Sequence, residues 1–68
     1  MRVKVNRRWL QLFEGARVGN ALLRYFTVRK LDKQLIDKVE VHDALGHVID
    51  HDAPLHNEEI IICLIPKL

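Results

Sequence analysis

Cysteine is almost missing from this sequence, because Cys63 is the only one among 68 residues. A single thiol cannot form an intrachain disulfide, hold an iron–sulfur cluster or build a cysteine-rich zinc site. No apolar run approaches the length of a membrane span, and Met1 is followed at once by charged residues with no signal-peptide core. These absences predict a protein of a reducing compartment, with the cytoplasm as its location.

Aromatic residues and chain length limit the function classes further. The four aromatic side chains stand in no ribonucleoprotein-type RNA-binding motif; they are Trp9, Phe13, Tyr25 and Phe26. No nucleophile–base pair or carboxylate pair is fixed by its spacing, so we expect neither an enzyme nor a bound cofactor. The chain is 49% apolar and 29% charged, which is typical of a folded protein. A length of 68 residues allows one domain, residues 1–68.

Charge is distributed unevenly along the chain, although the net charge is only +2. Residues 1–38 carry ten Lys or Arg and three Asp or Glu, whereas residues 39–68 carry one and six. This asymmetry has two interpretations. In the one we favour, the basic half packs against the acidic half; in the other, a basic face binds nucleic acid or an acidic partner.

The N-terminal residues predict a hairpin. Residues 2–6 alternate between polar and apolar, which is the period of a half-buried strand. Residues 6–8 reverse the chain, and residues 9–13 form the second strand. The faces of that second strand carry Leu10 and Leu12 on one side, and Trp9, Gln11 and Phe13 on the other.

From Ala16 onward the period changes to that of an amphipathic helix. The apolar stripe of this helix consists of Val18, Ala21, Leu22, Tyr25 and Phe26. Arg17 is a poor N-cap residue, so the start of the helix is less defined than its middle. In residues 27–38, apolar spacings of three and four predict a second, short helix with Thr27 as its cap.

The C-terminal half predicts three more strands. Residues 39–43 alternate as a strand, residues 44–47 form a glycine-containing turn, and residues 48–50 form the short partner strand. Pro54 is typical of an edge or a loop. Residues 59–65 are a continuous apolar run of strand length, which favours a central position in a sheet.

The amino-acid sequence resembles that of a known superfamily. The segment RVKVNRRWLQLFEGARVGNALLRYF is similar to the opening of thiamine-type sulfur-carrier proteins and of the small subunit of molybdopterin synthase. It is also similar to the opening of plant-type ferredoxin domains, and VEVHDALGHVID with PLHNEEIIICLIP looks like the remaining strands. The resemblance implies an α+β β-grasp (ubiquitin-like) fold, a mixed sheet of four or five strands packed on one main helix, with adjacent, parallel first and last strands.

Two departures limit what this resemblance implies about function. A sulfur carrier works through a flexible C-terminal Gly-Gly, but this sequence reads Ile65-Pro66-Lys67-Leu68, in which Pro66 stiffens the tail. A ferredoxin needs four thiolates in the loop after the helix, and residues 27–38 contain none. We therefore expect a β-grasp domain that serves as a binding module.

The histidines and the cysteine could in principle form a metal site or a reactive thiol, but we favour structural roles for them. Four histidines fall within fifteen residues, interleaved with aspartates; they are His42, His47, His51 and His56. They share no fixed face, so structural or solvated histidines are favoured over a metal site, and we assign no metal ligands. Cys63 lies in an apolar strand and is expected to be an inert core thiol.

The last strand carries the candidate functional surface. Matched to the sulfur-carrier pattern, Ile61, Cys63 and Ile65 face the core. The opposite, open face of the sheet then carries the candidate partner-binding residues, Trp9, Ile60, Ile62 and Leu64. An exposed apolar patch of several hundred Å² usually marks an interface, and in ubiquitin-like folds this face is the usual docking surface. The alternative is that residues 51–57 or 27–38 fold over the patch.

Three function hypotheses from different classes follow. The first is a non-catalytic interaction or accessory module that binds a protein partner, or a second copy, through the open face. The second is a sulfur-carrier or ubiquitin-like modifier whose Gly-Gly tail is absent or truncated, which sequencing of the native gene past Leu68 would decide. The third is weak binding of nucleic acid or an acidic partner through Arg2, Lys4, Arg7, Arg8, Arg17 and Arg24.

Overall fold

The computed structural model describes residues 1–65. Seven elements follow one another in this order: β1 (Arg2–Val5), β2 (Arg8–Gln11), α1 (Val18–Arg29), a 3₁₀ helix (Lys33–Lys38), β3 (Glu40–Asp43), β4 (Val48–Ile49) and β5 (Ile60–Leu64). None of the helices in these residues has the length and apolar character needed to cross a membrane.

The five strands form one mixed sheet in the order β2-β1-β5-β3-β4. β1 and β5 are parallel, with Lys4 opposite Ile60 and Val5 opposite Ile61. The other neighbouring strands are antiparallel. One main helix packs against one face of this sheet, so the predicted α+β, β-grasp architecture is confirmed, including the adjacent and parallel first and last strands.

The β1–β2 hairpin closes through a two-residue turn. Asn6 and Arg7 both have positive φ angles, 48° and 71°, as in the turn type whose twist matches that of paired strands. β2 ends at Gln11, so our prediction of a strand through Phe13 is two residues too long. Leu12 continues the pairing by one step, because its N–H donates to the Met1 carbonyl at 2.7 Å.

Asn6 also links the hairpin to the last strand. Its backbone N–H donates to the Ile61 carbonyl at 3.2 Å. Its side-chain amide donates to the Cys63 carbonyl at 2.9 Å and accepts from the Cys63 N–H at 2.8 Å. β1 ends at Val5, so it has no residue that could pair with Cys63 on β5. The Asn6 side-chain amide bonds to the N–H and C=O groups of Cys63 in its place.

The start of α1 is stabilised from outside the helix. The Asn20 side chain accepts from the Arg17 backbone N–H at 2.9 Å, which is half of a capping box. The N–H groups of Val18 and Gly19 donate to the carbonyls of Ala53 and His51, at 3.0 and 2.7 Å. The loop before β5 therefore satisfies orphan donors of the first turn, which explains why a helix begins after a poor N-cap residue.

The segment after α1 differs in one detail from its prediction. A short helix is present, but Thr27 lies inside α1, where its hydroxyl donates to the Leu23 carbonyl at 2.8 Å. α1 ends at Arg29, and the left-handed conformation of the next residue, Lys30, closes the helix. The cap of the 3₁₀ helix is Asp32, whose carboxylate accepts from the Gln34 N–H at 2.9 Å. An aspartate bonds its own turn more strongly than the threonine we favoured.

The core lies between α1 and the covered face of the sheet. The predicted stripe of α1 is buried, as are Val3, Val5 and Leu10 from the hairpin. The most enclosed large side chains are Phe26, Leu22, Ile61, Val3, Val5, Val18 and Val41. Leu55 joins them from the loop before β5, a contribution that no periodicity around Pro54 indicated.

The amide contacts of Asn6 predict a specific loss of stability. Replacing Asn6 with Gly keeps the freedom to adopt positive φ but removes both hydrogen bonds to Cys63. We expect the free energy of unfolding in urea to fall by about 1–3 kcal/mol. Arg7→Gly is the matched control, because it places the same residue in the same turn without removing these bonds. Equal losses in the two variants would show that the amide contributes nothing specific.

Candidate functional site

β5 divides its side chains between two faces as the sequence predicted. Ile61 and Cys63 are buried under α1. Ile60 and Ile62 are each 43% exposed and Leu64 is 52% exposed on the other face. The central strand of the sheet therefore carries three apolar side chains that no element of residues 1–65 covers.

Trp9 extends this surface across the hairpin. It pairs with Lys4 on β1, and Lys4 pairs in turn with Ile60 on β5, so the three side chains share the open face. Trp9 is 43% exposed. We name the surface formed by Trp9, Ile60, Ile62 and Leu64 the apolar patch.

Val48 is an exposed apolar residue on the same face as the apolar patch, although the sequence patterns did not identify it. It pairs with His42, and His42 pairs with Ile62, so all three lie on the open face. Val48 is 65% exposed. The sequence did contain a pattern that could have identified it. Neighbouring residues of a strand point to opposite faces, so if Ile49 in the predicted strand 48–50 faces the core, Val48 faces the other side.

Basic side chains border the apolar patch on the β1 side. The Arg2 guanidinium carbon lies 4.4 Å from the centre of the Trp9 ring, and the Lys4 ammonium lies 5.6 Å from it. At an exposed site each such cation–π contact contributes roughly 0.5–1 kcal/mol. Arg2 also lies 3.4 Å from the Glu58 carboxylate. These contacts hold the indole against the sheet and place positive charge beside it.

The opposite border of the apolar patch, on β3, carries one glutamate and one histidine. Glu40 pairs with Leu64 across the sheet, and His42 pairs with Ile62. The His42 Nε2 atom lies 2.8 Å from a carboxylate oxygen of Glu40. The open face thus has an apolar centre between a cationic border and a border that contains a carboxylate.

Neither segment that we considered as a cover for the apolar patch lies over it. The 3₁₀ helix packs against α1. The loop before β5 pairs with the start of α1, through a bridge between Arg17 and Pro54, and buries Leu55 in the core. Beside the apolar patch, Lys4, Arg7 and Ile62 instead help to line an open depression of about 390 Å³.

The histidines make local contacts. The His51 ring lies 2.8 Å from the Val39 carbonyl. His47 Nδ1 lies 3.4 Å from Asp43, whose carboxylate also accepts from the N–H groups of His47 and Leu45. The hydrogen bond from the His47 N–H lowers the pKa of Asp43. Within residues 1–65, no three His, Cys, Asp or Glu side chains are placed to hold a metal ion together.

Cys63 has the environment of a core thiol. Burial raises its pKa to about 11, because the thiolate would lose its hydration inside the core. At neutral pH the group is therefore a neutral thiol, which is a poor nucleophile and a poor metal ligand.

The six basic residues of the nucleic-acid hypothesis are spread over both layers. Arg2 and Lys4 lie on the open face, Arg7 lies in the hairpin turn, and Arg8 is the first residue of β2. Arg17 and Arg24 belong to the start and middle of α1, behind the sheet, and the Arg17 guanidinium donates to the Asp52 carbonyl at 2.6 Å. A nucleic-acid strand cannot follow all of these groups along one surface.

No protein-family model and no curated protein matches this sequence. The fold and the geometry of the open face are therefore the basis for a functional proposal. Pro66, which we expected to stiffen the tail of this chain, lies outside the described residues, as do Lys67 and Leu68.

The position of Trp9 predicts an unequal response to ionic quenchers. Trp9 is the only tryptophan, so its fluorescence reports on the open face alone. With each ion's quenching expressed relative to its quenching of free N-acetyltryptophanamide, iodide should quench Trp9 more than caesium does, because Arg2 and Lys4 attract anions to the ring. The double variant Arg2→Gln, Lys4→Gln should abolish this difference, whereas Lys33→Gln with Lys38→Gln should preserve it. Equal normalised quenching of the native protein by both ions would contradict the geometry.

Proposed function

We propose that this chain is a non-catalytic interaction module that binds a protein partner, or a second copy of itself, through the open face of its sheet. The observation that carries the proposal is the apolar patch, Trp9, Ile60, Ile62 and Leu64, exposed at the centre of the sheet. Water in contact with an apolar surface of several hundred Å² is unfavourable, and such surfaces usually mark interfaces.

The borders of the apolar patch support the same proposal. Protein interfaces combine an apolar centre with a polar, charged rim, and they are rich in tryptophan and arginine. Here Trp9 stands beside Arg2 and Lys4 on one side, and Glu40 stands on the other. The resemblance to sulfur-carrier proteins points to the same face, because ubiquitin-like folds dock through it.

The chemistry of the described residues supports a binding role over a catalytic one. The Cys63 thiol is buried and neutral. His42 and His47 interact with acidic neighbours on the same hairpin, and these pairs lie beside no nucleophile. A β-grasp domain of this kind acts by presenting a surface.

Self-association is the first test of the proposal, because a second copy is the simplest partner. Sedimentation equilibrium should show the wild-type chain forming a dimer as its concentration rises. Ile62→Asp should weaken that dimer at least about 100-fold, since it buries a charge at the centre of the interface. The variant should still fold, because Ile62 points away from the core, and its Cys63 thiol should stay protected from thiol reagents.

Leu45→Asp is the matched control for this test. Leu45 is more exposed than Ile62 but lies in the β3–β4 turn, outside the apolar patch. It should leave the dimer unchanged. A wild-type chain that stays monomeric at every concentration rejects the homodimer, and a dimer that Ile62→Asp leaves intact rejects the open face as its interface.

A different partner is tested by photo-crosslinking in cells of the organism that encodes the protein. A photoreactive phenylalanine analogue at position 62 should form a discrete adduct with a protein, and the same analogue at position 45 should not. Equal adduct patterns from the two positions, together with a monomeric purified chain, would overturn the proposed function.

A further inference from the structure

The strand register fixes where the charges of the open face lie relative to its apolar centre. Lys4 on β1 stands level with Ile60 on β5. Four residues further along β5, Leu64 stands level with Glu40 on β3. Lys4 and Glu40 therefore lie on opposite sides of β5, roughly 10 Å apart across the strands and roughly 13 Å apart along them. Ile62 lies midway between the two.

Lys4 and Glu40 have few partners within their own chain. Lys4 forms no ion pair with a carboxylate of residues 1–65. The Glu40 carboxylate contacts the His42 ring, and its side chain is 57% exposed. By contrast, Arg2 on the same border as Lys4 already pairs with Glu58. The open face thus offers one cation and one carboxylate for a partner, placed symmetrically about the centre of the apolar patch.

A two-fold axis makes this surface complementary to itself. In a symmetric dimer every contact between two different residues forms twice, once in each direction. Consider an axis that lies in the plane of the open face, passes over Ile62 and runs perpendicular to the line from Lys4 to Glu40. It places Lys4 of each copy opposite Glu40 of the other. Two equal ion pairs then form, and Ile62 meets its own counterpart between them.

The same axis brings apolar side chains together. Val48 stands level with His42, and His42 stands level with Ile62. With about 4.8 Å between strands and about 3.3 Å between residues, the axis places Val48 of one copy over Ile60 of the other. Both side chains are exposed in the single chain. The strands of the two sheets cross at roughly 70°, which is close to the near-perpendicular class of sheet packing.

The size of the open face suits a second copy and limits the affinity. With Cα extents of 32 × 24 × 21 Å, one face of this protein offers roughly 500–800 Å², whereas a standard interface buries about 800 Å² on each partner. The dimer therefore lies at the small end of specific interfaces. We expect a dissociation constant in the micromolar range, because most of the rim stays in water.

We propose that the partner of the open face is a second copy of this chain, related by a two-fold axis over Ile62, with Lys4 of each copy paired to Glu40 of the other. This arrangement rests on the proposed function, whose partner it names. An acidic partner would satisfy Lys4 and leave Glu40 facing like charge, and a basic partner would do the reverse. A second copy satisfies both groups at once while it covers the apolar centre.

Charge-reversal variants test the cross-pairing directly. Lys4→Glu alone and Glu40→Lys alone should each weaken self-association at least about tenfold, because each creates two like-charge contacts. An equimolar mixture of these two variants should form a heterodimer within about threefold of the wild-type affinity, because both contacts become attractive again. The double variant Lys4→Glu, Glu40→Lys should restore the homodimer. Sedimentation equilibrium measures the association of each sample.

Lys33→Glu and Asp37→Lys are the matched controls for the charge reversals. They make the same changes of charge on the 3₁₀ helix, which packs against α1 behind the sheet. Each control variant, alone or mixed with the other, should leave self-association within about twofold of the wild type.

A second measurement uses the wild-type chain and does not depend on how any variant folds. In a mixture of isotope-labelled and unlabelled chains, isotope-filtered NOEs should connect the methyl groups of Val48 in one copy to those of Ile60 in the other. Within one chain these two residues stand two strands and two residues apart, roughly 12 Å, which is too far for such a signal.

The outcomes separate this arrangement from the proposed function. A dimer that Ile62→Asp dissociates but both charge reversals leave intact would keep the open face as the interface and reject the cross-pairing. Charge variants that fail to rescue each other in the mixture, or a dimer without the NOEs between Val48 and Ile60, would also reject it. A monomeric wild-type chain that crosslinks a different protein through position 62 would reject the second copy and leave the proposed function standing.

Discussion

The parallel pairing of β1 with β5 is the constraint on which the rest of the structure depends. It joins the N-terminal hairpin to the C-terminal three strands, and it places Val5 opposite Ile61 in the fully buried centre of the core. The Asn6 amide extends this pairing by one step, to Cys63. A β5 held on both sides is a central strand, and only then do its alternate side chains divide between the core and the open face.

The open face exists because the sheet has two faces and only one main helix packs against it. α1 covers a single face, so the aliphatic side chains that favour a strand at Ile60, Ile62 and Leu64 stay exposed on the other. Trp9 extends this face onto β2, because it pairs with Lys4, and Lys4 pairs with Ile60.

Local periodicity predicted most of the elements and the division of β5 between two faces. The stripe of α1 and the apolar alternation of the strands are repeated signals, and the core needs them on one side. The prediction errors concern the ends of elements, where a few local contacts decide which residue begins or ends a helix or strand. Asp32 replaced Thr27 as a cap, and β2 ended at Gln11, two residues before Phe13. The contacts of Asn20 and of the His51 carbonyl with the first turn of α1 were also missed.

The sequence by itself determined the element types, the α+β class and the two faces of the last strand, because hydrophobic period and turn residues act over a few neighbouring positions. Tertiary structure alone decided that β5 pairs with β3 as well as with β1, that Asn6 bonds to Cys63, and that Val48 shares the open face with Ile62. It also decided that the loop before β5 packs against α1 and leaves the apolar patch uncovered. These contacts join residues far apart in the chain, and their energies depend on the packing of the whole core, which no local pattern records.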